Sequence, residues 1–403
     1  MMRCKVLIAC LSVSIAITLV TFGGGMISTI YPALLRIYRQ PQSERTQGQN
    51  PAQGLKWNKI TEVERKDAAR QTCSPHLQSE HNGFETGDSI ETILGRINST
   101  DPKWTKKVDN CYTYDGKQSP IPGSLLEKRQ CQKRMPVAIV IGVKKGGTGT
   151  LSRFLGLHPV ISITREMPFP GKQVNASSIT KWIQLMRFSS PFQLTMTESP
   201  GFFHSHLTLV FQSYLSSSVK FFVILRDPVD RAISEYLHYV AHSNAPKDRP
   251  FDMIYKNVRI QETFEKTILE PGGDIVVSKF TWLGLYIIHI QKLLNLYERD
   301  QFMFIDGDAF AKDPYPTMSK VEEFLGLPKF YKRSHFVKSK TKGFFCAQVP
   351  ERPDFGCMIP SKGRPHPKVS EDVLRKLQDF YRPYNKALRD QLGLNFSWIY
   401  KKK

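Results

Sequence analysis

The sequence predicts an α/β fold, a mostly parallel sheet with helices on both faces, behind a single apolar N-terminal span. Two segments predict the domain. The first is VAIVIGVKKGGTGTLSRFLGLHP, from Val137 to Pro159. It reads as a buried strand, a Gly-rich basic loop and then a helix. The second is KFFVILRDPVDRAISEYLHY, from Lys220 to Tyr239, which repeats that order. A third apolar run near 301–305 supplies another strand.

The N-terminus comes first in chain order. Residues 6–30 contain no charged side chain and are long enough to cross a bilayer as a helix. Arg3 and Lys5 precede them, in a tail of residues 1–5. The run is too long for a cleaved signal peptide, so an uncleaved signal anchor is expected, with the catalytic mass beyond the membrane. Arg36 and Arg39 on the far side weaken the charge argument for orientation. Residues 31–134 read as a polar stem, broken by Pro41, Pro51 and Gly54. The domain is expected over 135–400, with further helices near 150–156, 229–240, 280–297, 315–325 and 370–391.

Composition narrows the partner. The chain has 403 residues and a net charge of +21, from 57 Lys and Arg against 36 Asp and Glu. That excess favours a polyanion: nucleic acid, anionic lipid or an acidic polysaccharide. An anchored protein facing a lumen is expected to meet the polysaccharide rather than nucleic acid. N-x-[ST] triplets at Asn98, Asn175 and Asn395 agree with that compartment. Seven cysteines are present. Cys346 and Cys357 bracket a short Pro-containing loop, which suits a local disulfide in an oxidising compartment or, alternatively, two buried thiols. Cys73, Cys111 and Cys131 leave an odd count in the stem. His204 and His206 form an H-x-H pair without nearby partners, and no Cys/His spacing suggests zinc.

The Gly-rich loop, Gly142 to Gly149, suits a phosphate, because glycines let backbone N–H groups approach an anion at a helix N-terminus. It is not a Walker loop. Gly142 and Gly147 have the spacing, but Thr148 stands where the lysine should follow. In the second segment Arg226 lies at the C-terminal edge of a strand, where open α/β sheets bind ligands. Asp227 is placed to cap the next helix and Pro228 to start it. Arg226 and Ser234 together suit one phosphate. The bland alternative pairs Arg226 with Asp227 or Asp230. Two phosphate sites on neighbouring strand edges suggest a nucleotide phosphorylated at both 5′ and 3′ positions.

Those two motifs resemble the pair that binds 3′-phosphoadenylyl sulfate (PAPS) in Golgi sulfotransferases. Thr341 to Cys346, Cys357, and SKGRPHP at Ser361 to Pro367 are similar to the C-terminal signature of the heparan sulfate glucosamine 3-O-sulfotransferases. Gly307 to Pro328 and the ending FYRPYNKALRDQLGLNFSW fit the same family. The resemblance spans roughly Pro136 to Trp398 and implies a P-loop-like sulfotransferase domain using PAPS and no metal. It implies that Lys145, Gly146, Gly147, Thr148 and Gly149 hold the 5′-phosphosulfate, and Arg226 and Ser234 the 3′-phosphate. It implies that Lys362, Gly363, Arg364, Pro365 and His366 close over the cofactor, beside Phe345, on a loop fixed by a Cys346–Cys357 disulfide. Glu166 matches the catalytic base and Lys145 the lysine at the leaving group. A Golgi type II membrane protein with a lumenal catalytic domain follows.

The acceptor side departs from the family pattern. Gly149 replaces the arginine of K-G-G-T-R. The family's E-x-H-F-F-D reads here Glu166, Met167, Pro168, Phe169, Pro170, Gly171, without the histidine and aspartate. Its E-K-[ST]-P reads Thr197, Glu198, Ser199, Pro200, followed by Gly201, so a lysine expected to face a sulfated substrate has become Glu198. Three readings follow: a 3-O-sulfotransferase acting on a sulfated or acidic glycan through a divergent cleft, a related sulfotransferase for another glycan or position, and a non-catalytic glycan-binding protein. A P-loop kinase is a distant fourth.

Overall fold

A computed structural model describes residues 88–400, apart from 98–99, 102, 114–118, 169–173, 206–210, 212–213, 242–259, 340–343 and 351–363. The apolar span at 6–30 lies outside the described residues, as do Asn98, His206, Cys357, Lys362 and Gly363. Among the described residues no helix is long and apolar enough to cross a membrane.

Three short helices come first: α1 (Ile90–Gly95), α2 (Trp104–Lys107) and α3 (Gly123–Lys128). Then follow β1 (Gln132–Lys133), β2 (Ala138–Gly142), α4 (Thr148–Leu155), β3 (Ile161–Thr164), α5 (Ala176–Gln184), β4 (Phe188–Ser189) and β5 (Leu194–Glu198). A 3₁₀ turn over Pro200–His204 leads on towards β6 (Lys220–Leu225) and α6 (Pro228–Val240). Next are α7 (Phe264–Ile268), α8 (Lys279–Trp282), α9 (Tyr286–Leu294), β7 (Phe302–Asp306), α10 (Gly307–Lys312) and α11 (Pro314–Leu325). The chain ends on β8 (Phe336–Lys338), β9 (Phe345–Ala347) and α12 (Glu371–Leu392).

The central sheet has five strands in the order β3-β5-β2-β6-β7, and every pairing in it is parallel. Alternation along the strands divides the core in two. Ile139, Ile141, Phe221 and Val223 face one layer with residues of α5, α6, α9 and α12. Ala138, Val140, Phe222 and Ile224 face the other with α1, α4 and α11. Both faces are therefore covered, as an all-parallel sheet requires.

The order has a functional consequence. From β2 the chain crosses to β3 on one side, whereas from β6 it crosses to β7 on the other. The switch falls between β2 and β6, so a crevice opens there at the strands' C-terminal ends. The Gly-rich loop and Arg226 both emerge at that point.

Three sequence expectations change. The helix expected over 280–297 is two, α8 and α9. Between them a β-carbon on Gly284 would stand 2.8 Å from the Tyr381 ring and 3.0 Å from Pro228, so helix α12 passes directly against that glycine. Residues 88–134, read as stem, contribute Ile90, Ile93, Trp104 and Val108 to the core, so the packed body begins earlier in the chain. Cys111 and Cys131, left unassigned, form a disulfide across a separation of 20 residues.

Candidate functional site

The site begins with the loop between β2 and α4. Val143 N donates to Ile224 O at 3.0 Å, and Gly146 N donates to Val143 O at 2.8 Å, which folds the loop onto the end of β6. Gly146 is required by close approach, since a β-carbon there would stand 2.5 Å from Ile224 O. Gly147 caps α4 with φ 115°, a left-handed conformation open to glycine. Lys145 also stands at positive φ, 71°. The loop leads into α4, whose first turn holds Thr148, 7% exposed.

Lys144 Nζ meets Glu235 Oε1 on α6 at 2.8 Å, and Glu235 is buried. Arg231 is fully buried beside it, with Nη1 3.8 Å from Glu235 Oε2 and Nη2 donating to Phe280 O. Lys279 belongs to the same cluster. Burial, with the repulsion of Lys144, pulls its pKa down to about 8, and Glu235 opposes the fall. His204 lies in the same charged neighbourhood, its pKa held to about 4 by burial.

The residues of the second candidate anion motif lie at the end of β6 and on α6. Asp227 caps α6 by accepting from Val229 N at 2.9 Å, with Pro228 in the first turn. Arg226 lies 3.8 Å from Asp230 and 3.7 Å from Asp308. Both separations exceed hydrogen-bond length, so these carboxylates orient the guanidinium without saturating its donors. Burial raises the pKa of Asp308, against the pull of Arg226. Ser234 falls four residues beyond Asp230, on the same helix face. His366 reaches this corner from the C-terminal region, with Nδ1 3.7 Å from Asp230 Oδ1. Its pKa is lowered chiefly by burial, with Asp230 opposing. The structure thus brings together Arg226, Asp230, Asp308 and His366. Arg364 and Pro365 precede His366 in an irregular segment.

Glu166 follows β3 in an exposed turn, at φ 55°. Glu198 does not lie where the sequence placed it. It ends β5, is 2% exposed and faces inward, beneath the first turn of α4. Burial raises its pKa, while the hydroxyls of Thr148 and Ser152 and the backbone N–H of Glu166 hold it down. A carboxylate so enclosed cannot offer its charge to a polymer at the surface. Ser199 is equally buried, and Pro200 and Gly201 open the 3₁₀ turn behind it.

Phe345 pairs with Lys338 in the β8–β9 hairpin and packs on the core cluster behind α4. Cys346 is disulfide-bonded, with its partner outside the described residues. Asn175 caps α5, its Oδ1 accepting from Ser178 N at 2.9 Å. Asn395 Oδ1 accepts from Tyr400 at 2.7 Å. Both bonds use the oxygen, and glycan attachment uses the amide nitrogen. Among the described residues no cluster of His, Cys, Asp or Glu is placed to hold a metal. A groove at the other end of the sheet is lined by Arg96, Lys133 and Arg134. Arg96 and Arg134 there donate to the backbone oxygens of Pro191 and Gln130 at 2.9 and 3.0 Å.

Sequence reasoning missed Glu235, Lys279 and Asp308, whose neighbours are distant in the chain and carry no local signal.

Residues 136–390 match the family described as sulfotransferase domain. The chain is 31% identical over 285 residues to mouse heparan sulfate glucosamine 3-O-sulfotransferase 3B1, covering 70% of this chain and 69% of that one. It is 32% identical over 271 residues to mouse heparan sulfate glucosamine 3-O-sulfotransferase 5, covering 66% and 75%. Among solved structures, a sulfotransferase from Alicyclobacillus acidocaldarius aligns with a TM-score of 0.43 at 20% identity, over 65% of this chain and 98% of that one.

Proposed function

Because the chain belongs to the heparan sulfate glucosamine 3-O-sulfotransferase family and is a PAPS-dependent sulfotransferase, we propose that it transfers a sulfuryl group to a glycosaminoglycan hydroxyl. The first reading of the acceptor is the 3-O position of glucosamine in heparan sulfate. One observation carries the proposal: the phosphate loop after β2 and the Arg226 corner after β6 meet at the switch point of the sheet.

The residues there fit a nucleotide with two anionic ends. The loop N–H groups, Lys145 and Thr148 suit the 5′ end, and Arg226 with Ser234 the 3′-phosphate. Gly149, Phe345, Arg364, Pro365 and His366 are assigned to the same pocket, together with Lys362 and Gly363. PAPS supplies the sulfuryl group when bound. Glu166 accepts the proton of the attacking hydroxyl, for which an exposed carboxylate at the crevice is suited. Lys145 offsets negative charge that develops at the leaving phosphate. Arg226 and Ser234 fix the nucleotide so that donor and acceptor are in line.

A second reading, another glycan or another position, is favoured by Gly149, Pro168 and the inward-turned Glu198. All three remove groups that the family pattern places at the acceptor. The same reading keeps residues 6–30 as a Golgi membrane anchor, with the domain lumenal and Asn98, Asn175 and Asn395 as glycan attachment sites.

Calorimetry with PAP tests the nucleotide site. Binding that weakens by about 30-fold in Arg226→Ala, the loss of one charge-assisted contact, supports the reading. Unchanged affinity removes Arg226 from it.

A further inference from the structure

The turn that carries Glu166 is pinned on both sides of that residue. Before it, Thr197 Oγ1 donates to Thr164 O at 3.2 Å, and Thr164 Oγ1 accepts from Arg187 N at 2.7 Å, which fixes the end of β3. After it, Met167 N donates to the main-chain oxygen of Glu198 at 2.8 Å, and the Met167 side chain is buried in the core. Next, Pro168 O accepts from Trp182 Nε1 at 2.9 Å. Pro168 fixes its own φ, has no N–H to satisfy and disfavours helical backbone at Met167. The Trp182 bond therefore holds a stretch that proline has already stiffened.

Glu166 needs such support. Its φ of 55° lies in the left-handed region, which a glutamate keeps only when its surroundings impose it. Trp182 is well placed to impose it. The residue is 3% exposed and lies on α5, which starts on a capping box: Asn175 Oδ1 accepts from Ser178 N at 2.9 Å, and Ser178 Oγ accepts from Asn175 N at 3.0 Å. The indole meets Phe211 edge-on, with ring centroids 5.1 Å apart at 90°. Phe211 meets Phe202 at 5.4 Å, and Phe202 meets Phe221 of β6 at 5.7 Å. This aromatic row fixes the ring, so the core sets the direction of its N–H. A buried indole N–H needs a partner, and the partner here is a carbonyl two residues beyond Glu166. Because that acceptor is main chain, the contact does not depend on the histidine that Pro168 replaces.

We propose that Trp182 is a positioning residue: its buried indole N–H holds the Pro168 carbonyl and so sets Glu166 at the crevice. The proposal rests on Glu166 being the base. Trp182 is not among the residues assigned to the nucleotide, so the bond acts on turnover and leaves nucleotide affinity alone.

The test measures kcat, KM for PAPS and PAP affinity in the full-length protein for Trp182→Phe, and again with benzothienylalanine at 182, the tryptophan analogue with sulfur in place of the ring N–H. The analogue keeps the shape and removes only the donor, so it stands in should Trp182→Phe not fold. Both changes are repeated on Glu166→Gln. The proposal predicts that kcat falls about tenfold or more in each, as for a base displaced by the loss of one hydrogen bond. KM for PAPS and PAP affinity should hold within about threefold. On Glu166→Gln, where no base remains to be placed, the same changes should alter the residual rate by less than about threefold. Wild-type kcat with the sulfur analogue, kcat and PAP affinity falling together, or the same loss repeated on Glu166→Gln overturns it. Full turnover in Glu166→Gln itself instead overturns the base assignment, a separate failure.

Discussion

Lys144 Nζ lies 2.8 Å from Glu235 Oε1, a carboxylate buried on α6 beside the fully buried Arg231. The Gly-rich loop is thereby tied to α6, the helix that follows Arg226. The contact gives the two adjacent lysines different work: Lys144 fastens the loop, and Lys145 is the one assigned to the reacting groups.

Removing the buried partner exposes the cost of the arrangement. Glu235→Ala leaves Arg231 and Lys144 without their shared carboxylate, and breaking a buried pair from one side costs roughly 3–5 kcal/mol. Denaturant unfolding should record a loss of that order, larger than for Lys144→Ala, whose head group is partly solvated. Equal small losses in both variants would mean that the pair is not structural.

Gly146 offers a steric test. Gly146→Ala sets a β-carbon 2.5 Å from Ile224 O, so the loop must lift from β6. Overpacking of this kind costs about 1–3 kcal/mol. PAP affinity should fall at least as steeply as stability, because the displaced backbone is the cradle itself. Alanine tolerated with wild-type affinity would contradict the cradle.

The Cys111–Cys131 disulfide closes a loop that contains α3 and packs with Ile121 in a small cluster. For a 20-residue separation, loop entropy predicts about 3 kcal/mol. The double serine variant should lose that much in unfolding experiments, while PAP affinity in the folded protein stays unchanged.

Buried histidines set an acid limit. His158 packs against Trp104 and Tyr331, and burial lowers its pKa to about 4 from 6.5, against the bond to Pro328 O. His289 is lowered to about 3 in the same way, with His204 adding to the fall. In the unfolded chain these rings take up protons below about 6.5, while the folded ones stay neutral. The unfolded state therefore binds more protons in the window from about 6.5 to 4, and stability falls as pH is lowered through it. At pH 5 the His158 contribution alone is on the order of 2 kcal/mol. Thermal melts from pH 7.5 to 5 should show the fall, and His158→Gln should make it shallower, His289 accounting for what remains.

What the sequence could reveal depended on how local the signal was. β2, β6 and β7 are apolar runs and are legible as strands. β5 is not, because LTMTE mixes two threonines and a glutamate into a strand whose five residues are all buried. Its polar groups are satisfied or enclosed by β3 and α4, which only the fold can bring close. Gly142 to Gly149 and Arg226 stand out as candidate anion sites because a loop or strand edge defines them. The burial of Glu198 was not, since a glutamate before Ser-Pro reads as a surface residue. His366 beside Asp230 is equally silent in the sequence, as the two are far apart along the chain.

The proposed function requires Glu166 and the paired anion motifs to work together as one PAPS-dependent transferase. Transfer of labelled sulfate from PAPS to a panel of glycosaminoglycans, followed by mapping of the sulfated position, tests it most directly. Wild-type protein should label at least one glycan, and Glu166→Gln should lose about two to four orders of magnitude in rate while still binding PAP. Absence of transfer to every glycan by PAP-binding wild-type protein, or equal rates in the two proteins, would contradict it.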